Sequence, residues 1–88
     1  MKIAFTKAFE KQLSEIKDEK LRSEIAACVN EAQNAVALTE IHHVKKLKGY
    51  KTAYRIKTGN YRVGFVFENG VITFAACLHR KEIYRKFP

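Results

Sequence analysis

"YRIKTGNYRVGFVFENGVITFAACLH", residues 54–79, decides the fold. Two dipeptides that tolerate positive φ, Gly59-Asn60 and Asn69-Gly70, sit between runs rich in Val, Ile, Phe and Tyr. That is the chemistry of two-residue hairpin loops. Two such loops this close predict a three-stranded antiparallel meander, and they also set its register. Around the first, Thr58 faces Tyr61, Lys57 faces Arg62, Ile56 faces Val63, Arg55 faces Gly64 and Tyr54 faces Phe65. Around the second, Phe67 faces Ile72, Phe65 faces Phe74, Val63 faces Ala76 and Tyr61 faces Leu78.

Alternation then sorts the side chains. One face collects Tyr54, Ile56, Tyr61, Val63, Phe65, Phe67, Ile72, Phe74, Ala76 and Leu78, and is expected to be the core. The other carries Arg55, Lys57, Arg62, Gly64, Val66, Thr73, Ala75, Cys77 and His79. Lys57 directly opposite Arg62 is a like-charge pair that disfavours the sheet, and Arg55 and His79 are expected nearby. A local rule broken without local benefit tends to mark function, here a shallow cationic floor suited to phosphate. The plainer reading is the solvent side of an antiparallel sheet, where Lys and Arg are common.

Beyond the last strand, "HRKEIYRKFP" (79–88) puts Arg80 within reach of the same floor. Tyr84 is a candidate for base stacking or proton transfer. The alternatives are an Arg80 that only caps the strand edge, and a terminal plug of Ile83, Tyr84 and Phe87 tucked into the core.

Upstream, "KIAFT" (2–6) alternates as a short strand, and Thr6 can cap a helix. Phe9, Leu13 and Ile16 recur at helical spacing; after Asp18, Leu21, Ile25, Cys28, Val29 and Ala32 form a second stripe. Two amphipathic helices, or one broken near "KDEK" (17–20), are expected. "ALTEIHHVKKLKGYK" (37–51) has weaker periodicity and ends near the turn signal Gly49. The adjacent His42 and His43 have no second ligand pair and are read as surface or interface residues.

Eighty-eight residues, 47% of them hydrophobic and only one of them proline, suit a single compact domain, 1–88. The formal charge is +8. Residues 1–40 hold six Lys/Arg and seven Asp/Glu, residues 41–88 eleven and two. The excess cation lies wholly in the second half, which favours a polyanionic partner, nucleic acid first. Cys28 and Cys77 match no metal or redox spacing and are expected to be reduced, partly or wholly buried thiols. "MKIAFTKAFEK" lacks the apolar stretch of a signal peptide, and "VITFAACL" is too short to span a bilayer, so a cytoplasmic protein without membrane attachment is expected.

The basic half offers only Glu68 and Glu82, so no carboxylate cluster for Mg²⁺ is expected, nor any other metal site or cofactor. No phosphate-binding glycine loop or Ser-His-Asp order is present. RNA carries its own nucleophile, the 2′-OH. Its cleavage needs a base, cations for the charge that develops on phosphorus, and an acid for the leaving 5′-oxygen, and Arg, Lys, His and Tyr suffice.

The order strand, two helices, then "LKG" (47–49), "YRIKTGNYRVGF" (54–65) and "LHRKEIYR" (78–85) resembles the RelE/ParE superfamily of bacterial toxin–antitoxin modules over essentially the whole chain. The resemblance implies an α+β fold: a short N-terminal strand and two helices packed on a small antiparallel sheet with the C-terminal meander. RelE-like members cut mRNA in the ribosomal A site, without metal, through 2′-OH attack. By that likeness Arg55 and Lys57 match two basic positions before the turn, and Arg62 an arginine that stabilises the transition state. Arg80 matches an arginine tied to leaving-group protonation, and Tyr84 a C-terminal tyrosine that stacks or assists the base. Lys45, Lys46, Lys48, Lys51, Lys81 and Arg85 are expected to contact RNA. Two departures stand out: Arg55 replaces a lysine, and arginine is a poor general base; the Arg80 to Tyr84 interval is short. His79 is therefore the substitute candidate for proton transfer, or a positioning residue. A cognate antitoxin is the implied partner, with the free toxin a monomer or weak dimer. ParE-like members of the same superfamily instead poison DNA gyrase through protein contacts, and a non-catalytic nucleic-acid-binding module or degenerate toxin is a third reading.

Overall fold

Both tight turns form, and their φ angles explain the residues used. In the computed structural model, which describes all 88 residues, Gly59 has φ 58°, Asn69 52° and Gly70 76°. The elements are β1 (Lys2–Phe5), α1 (Lys7–Ser14), α2 (Glu19–Asn34), one 3-10 turn (Leu38–Glu40), β2 (Val44–Lys46), β3 (Ala53–Thr58), β4 (Tyr61–Glu68), β5 (Val71–His79) and α3 (Ile83–Lys86). The five-stranded sheet has the order β1-β5-β4-β3-β2. It is mixed: the meander and β2 are antiparallel, whereas β1 runs parallel to β5.

The helices begin where their caps are. Thr6 Oγ1 accepts from the Phe9 N–H, and Asp18 Oδ1 accepts from those of Lys20 and Leu21, so each side chain satisfies donors that the first turn leaves free. The break falls between Glu15 and Asp18, and Arg22 closes it by donating to the Leu13 and Ile16 carbonyls. Phe9 of α1, Ile16 of the connecting segment, and Ile25 and Ala32 of α2 meet Ile56, Val63, Phe65, Ile72 and Phe74 from the sheet. Phe9 and Phe74 pack with Phe5 in a trio of rings 5.6–5.7 Å apart.

The β3–β4 register is as expected throughout. The β4–β5 register holds from Glu68↔Val71 to Phe65↔Phe74 and then slips by one residue: Gly64 faces Ala76, Val63 faces Cys77 and Tyr61 faces His79. Ala75 is the extra residue, a β-bulge. The groups that a bulge orphans are taken up by α1 and its cap: the Thr6 hydroxyl donates to the Ala75 carbonyl (3.4 Å), and Gln12 Oε1 accepts from the Cys77 N–H (2.7 Å). A one-residue slip exchanges faces beyond it. The expected positions are thus corrected. Cys77 joins the helix-side core and His79 turns to that side, while Ala76 and Leu78 move to the opposite face.

That opposite face is not open along its whole length. Ile83 and Phe87 fold back on it with Leu47, Ala53 and Ala76 as a second apolar cluster, flanked by Val66, Ala75 and Leu78. Gly64 makes this possible: a Cβ there would lie 2.6 Å from the Phe87 ring. Burial of Ile83 and Phe87 contributes about 2 kcal/mol each. Of the three residues read as a terminal plug, two serve as one, whereas Tyr84 is 62% exposed.

Candidate active site

The half of this face that the plug leaves uncovered is cationic. Lys45 on β2 lies opposite Arg55 on β3, and Lys57, two residues on, lies opposite Arg62 on β4. Two like-charge cross-strand pairs therefore sit side by side at the end of the sheet near the Gly59-Asn60 turn. Arg80 is brought to the same end because its N–H donates to the Asn60 carbonyl (2.8 Å), extending the β4–β5 ladder by one residue.

Nothing acidic quenches the group. The molecule has two ion pairs, His42–Glu31 and Lys86–Glu82, and neither involves these five cations. Arg62 Nη1 donates to the carbonyls of Gly59 and Tyr61, both at 3.0 Å, which folds its guanidinium back over the turn. Arg55 Nη1 reaches the His43 carbonyl at 3.4 Å, and its Nε is buried without a partner. Cations held by backbone carbonyls keep their full charge for a ligand, and guanidinium forks suit phosphate oxygens.

The remaining residues distribute as follows. α3 rests on the same face, with Tyr84, Arg85 and the preceding Lys81 exposed along it. Lys46 alternates onto the helix side of β2, and Lys48 and Lys51 flank Gly49 (φ 86°) in the β2–β3 loop, at the far end of the sheet. Tyr50, half exposed in that loop, adds an aromatic surface that the sequence reading did not single out. His79 is separated from the row by the sheet itself. Its ring stands edge-on to Tyr61 at 5.7 Å, and its Nδ1 accepts from the Lys81 N–H. The bulge at Ala75 is the reason, and it removes His79 from the floor on which the sequence register had placed it.

No three His, Cys, Asp or Glu side chains converge as metal ligands. Burial, reinforced by the nearby Cys28, pushes the Cys77 thiol up to about 12. Burial also raises Cys28, partly offset by its hydrogen bond with Thr58. Neither thiol is a nucleophile at neutral pH. The arrangement can bind a phosphodiester and stabilise added negative charge on it, and the one exposed aromatic on α3 lies on the same side.

Known proteins share this architecture. The family described as the ParE toxin of type II toxin–antitoxin systems, parDE, matches residues 3–84. The toxin RelE3 of Methanocaldococcus jannaschii is 40% identical over 89 residues, covering both chains completely. A chain of the crystal structure of a RelB–RelE antitoxin–toxin complex from Methanococcus jannaschii superposes with a TM-score of 0.82 at 39% identity, over 97% of this chain and 99% of that one. The YoeB dimer of Staphylococcus aureus shares the fold at 19% identity, with a TM-score of 0.74 over 90% and 95% of the two chains. With the family matched from β1 into α3 and the likeness to RelE3 running end to end, this chain belongs to the RelE/ParE toxins of type II toxin–antitoxin systems.

Proposed function

We propose that this toxin is an endoribonuclease that cleaves mRNA in the ribosomal A site. The observation that carries the reading is the row Lys45, Arg55, Lys57 and Arg62, four cations in two like-charge pairs with no carboxylate partner. A sheet gains nothing from such pairs, whereas a phosphodiester approaching these four cations is held and activated. In the reaction the 2′-OH loses its proton and attacks the adjacent phosphorus. The bond to the 5′-oxygen breaks, and that oxygen is protonated, leaving a 2′,3′-cyclic phosphate and a 5′-OH.

Arg55 and Lys57 hold the scissile phosphate, Arg62 neutralises charge on its non-bridging oxygens, and Arg80 serves the leaving oxygen. Tyr84 stacks on a base or takes the 2′-OH proton. Lys45, Lys48, Lys51, Lys81 and Arg85 bind RNA backbone, whereas Lys46 points to the helix side of β2 and is set aside. His79, on the far side of the sheet, has no part. A RelB-like antitoxin is the partner we assign, because its relative occurs in a RelB–RelE complex. Action on translating ribosomes implies the cytoplasm; no helix is long and apolar enough to cross a membrane.

The test is primer extension on mRNA in a ribosome-containing translation mix, with the protein and its Arg62→Ala variant. Discrete ribosome-dependent cuts are expected, reduced about 10²- to 10³-fold in the variant. Because the matching family carries the ParE name, uncut mRNA would direct the next assay to DNA gyrase supercoiling.

A further inference from the structure

β2 should not be held where it is by pairing alone. It has three residues, lies at the sheet edge, and sets Lys45 against Arg55 beside a second like-charge pair. Short edge strands with facing like charges pair weakly. Something at each end must hold it. At its C-terminal end Leu47 is buried and donates its N–H to the Ala53 carbonyl (2.8 Å). At its N-terminal end Ile41 is buried in the main core, and the next residue is gripped by α2. Glu31 Oε1 accepts from the His42 N–H (2.8 Å), and Oε2 accepts from His42 Nδ1 (2.6 Å).

The grip has a consequence one residue later. His43 adopts φ 62°, a left-handed conformation that costs a non-glycine residue about 1 kcal/mol and persists only where its surroundings impose it. In that conformation its carbonyl accepts twice, from the Lys57 N–H (3.2 Å) and from Arg55 Nη1 (3.4 Å). This carbonyl is the single hydrogen-bond partner of the Arg55 side chain, whose Nε is buried and unpaired. The orientation of Arg55 thus depends on a corner that Glu31 pins.

We infer that Glu31 is a positioning residue for the cationic row: it clamps His42, which fixes the His43 carbonyl, which aims Arg55 and anchors the strand beneath Lys57. The inference rests on the ribonuclease reading of that row. A carboxylate set directly against Arg55 would cancel the charge that phosphate needs. Glu31 acts instead through a neutral carbonyl, so the cation is oriented and still free. Its carboxyl is held below the usual range by the two hydrogen bonds from His42, so the clamp is closed at neutral pH.

The experiment compares wild type, Glu31→Ala and Glu31→Gln by single-turnover mRNA cleavage against ribosome concentration. Thermal midpoints are measured alongside, as are ¹H–¹⁵N spectra of the Lys57 amide and the Arg55 Nε–H. The Ala variant should lose about 10- to 100-fold in saturating rate with a near-normal thermal midpoint, the loss that small misplacement produces. Gln, which retains both hydrogen bonds with the imidazole in its other tautomer, should recover most of that rate. Both NMR signals should move in Ala and return in Gln. Full-rate cleavage by Glu31→Ala overturns the inference, as does Gln no better than Ala. If wild type cuts nothing, the ribonuclease reading fails by itself; displaced Arg55 and Lys57 signals in Ala then uphold the clamp, and unmoved signals overturn it.

Discussion

At the residue scale, the proposed roles separate by chemistry. Tyr84 is the one aromatic exposed on α3, and its two proposed duties make opposite demands on its hydroxyl. A stacking role survives Tyr84→Phe and fails in Tyr84→Ala, which removes about 1–3 kcal/mol of base stacking. A proton-transfer role fails equally in both. We expect Tyr84→Phe to keep most of the cleavage rate and Tyr84→Ala to lose it, measured as single-turnover rates on one programmed ribosome complex. The cysteines give a second prediction. Both thiols are raised by burial, Cys77 to about 12, so the folded state prefers them protonated. Their contribution to stability is complete below the ordinary thiol value of about 8.5 and declines as pH climbs from there. Reaction with a thiol reagent at pH 8 should be slow in the native protein and fast in denaturant; rapid native labelling would contradict the burial. That both thiols are partly or wholly buried was expected from the sequence, and they are. That Cys77 faces the helices was not.

At the scale of elements, the two hairpin turns were readable because their conformations demand particular residues. The β-bulge was not, and "FAAC" (74–77) shows why. Ala75, Ala76 and Cys77 are small enough to fit either face, so a one-residue slip among them leaves the hydrophobic pattern without a visible break. The groups that stabilise the bulge, the Thr6 hydroxyl and the Gln12 amide, lie 69 and 65 residues away in sequence. This slip carried His79 off the floor and left the cationic row to β2, β3 and β4. The plug was among the sequence's alternatives, through Ile83 and Phe87, but its seat was not legible. Gly64 reads as a strand glycine, and only the Phe87 ring over it explains the choice. Gly64→Ala should drive a methyl into that ring, destabilise the protein by about 1–3 kcal/mol and release α3. Phe87→Ala should release α3 as well, without the clash. Urea unfolding would measure the first effect, and hydrogen exchange at the Arg85 and Phe87 amides, which bond to Glu82 and Ile83, would report the second. Unchanged protection of those amides in both variants would show that the plug is not what seats the helix.

For the whole molecule, the charge asymmetry visible in the sequence is resolved into two basic regions at opposite ends of one sheet. Lys57, Arg62 and Arg80 gather at the Gly59-Asn60 turn, whereas Lys48 and Lys51 stand around Gly49 in the β2–β3 loop. Composition could announce the cations but could not divide them, since division depends on which end of an antiparallel pair each residue reaches. The Glu31–His42 clamp was beyond sequence reading for a related reason: a helix residue and a loop residue eleven positions apart meet only once α2 is laid on the sheet. Two regions predict two kinetic signatures. On the proposed ribonuclease reading both supply phosphate contacts, so binding to programmed ribosomes should weaken steeply with salt, each lost contact lowering the slope of log K against log salt by about 0.7 to 0.9. In the proposed reaction only the row at the turn meets the reacting phosphate. The Lys48→Ala/Lys51→Ala variant should flatten the salt slope and raise KM, with the loss falling on affinity. Arg62→Ala should lower kcat at every salt concentration, because charge that develops in the transition state is not restored by saturating substrate. A fall in kcat from the loop variant would place the loop at the chemistry and dissolve the division between the two regions.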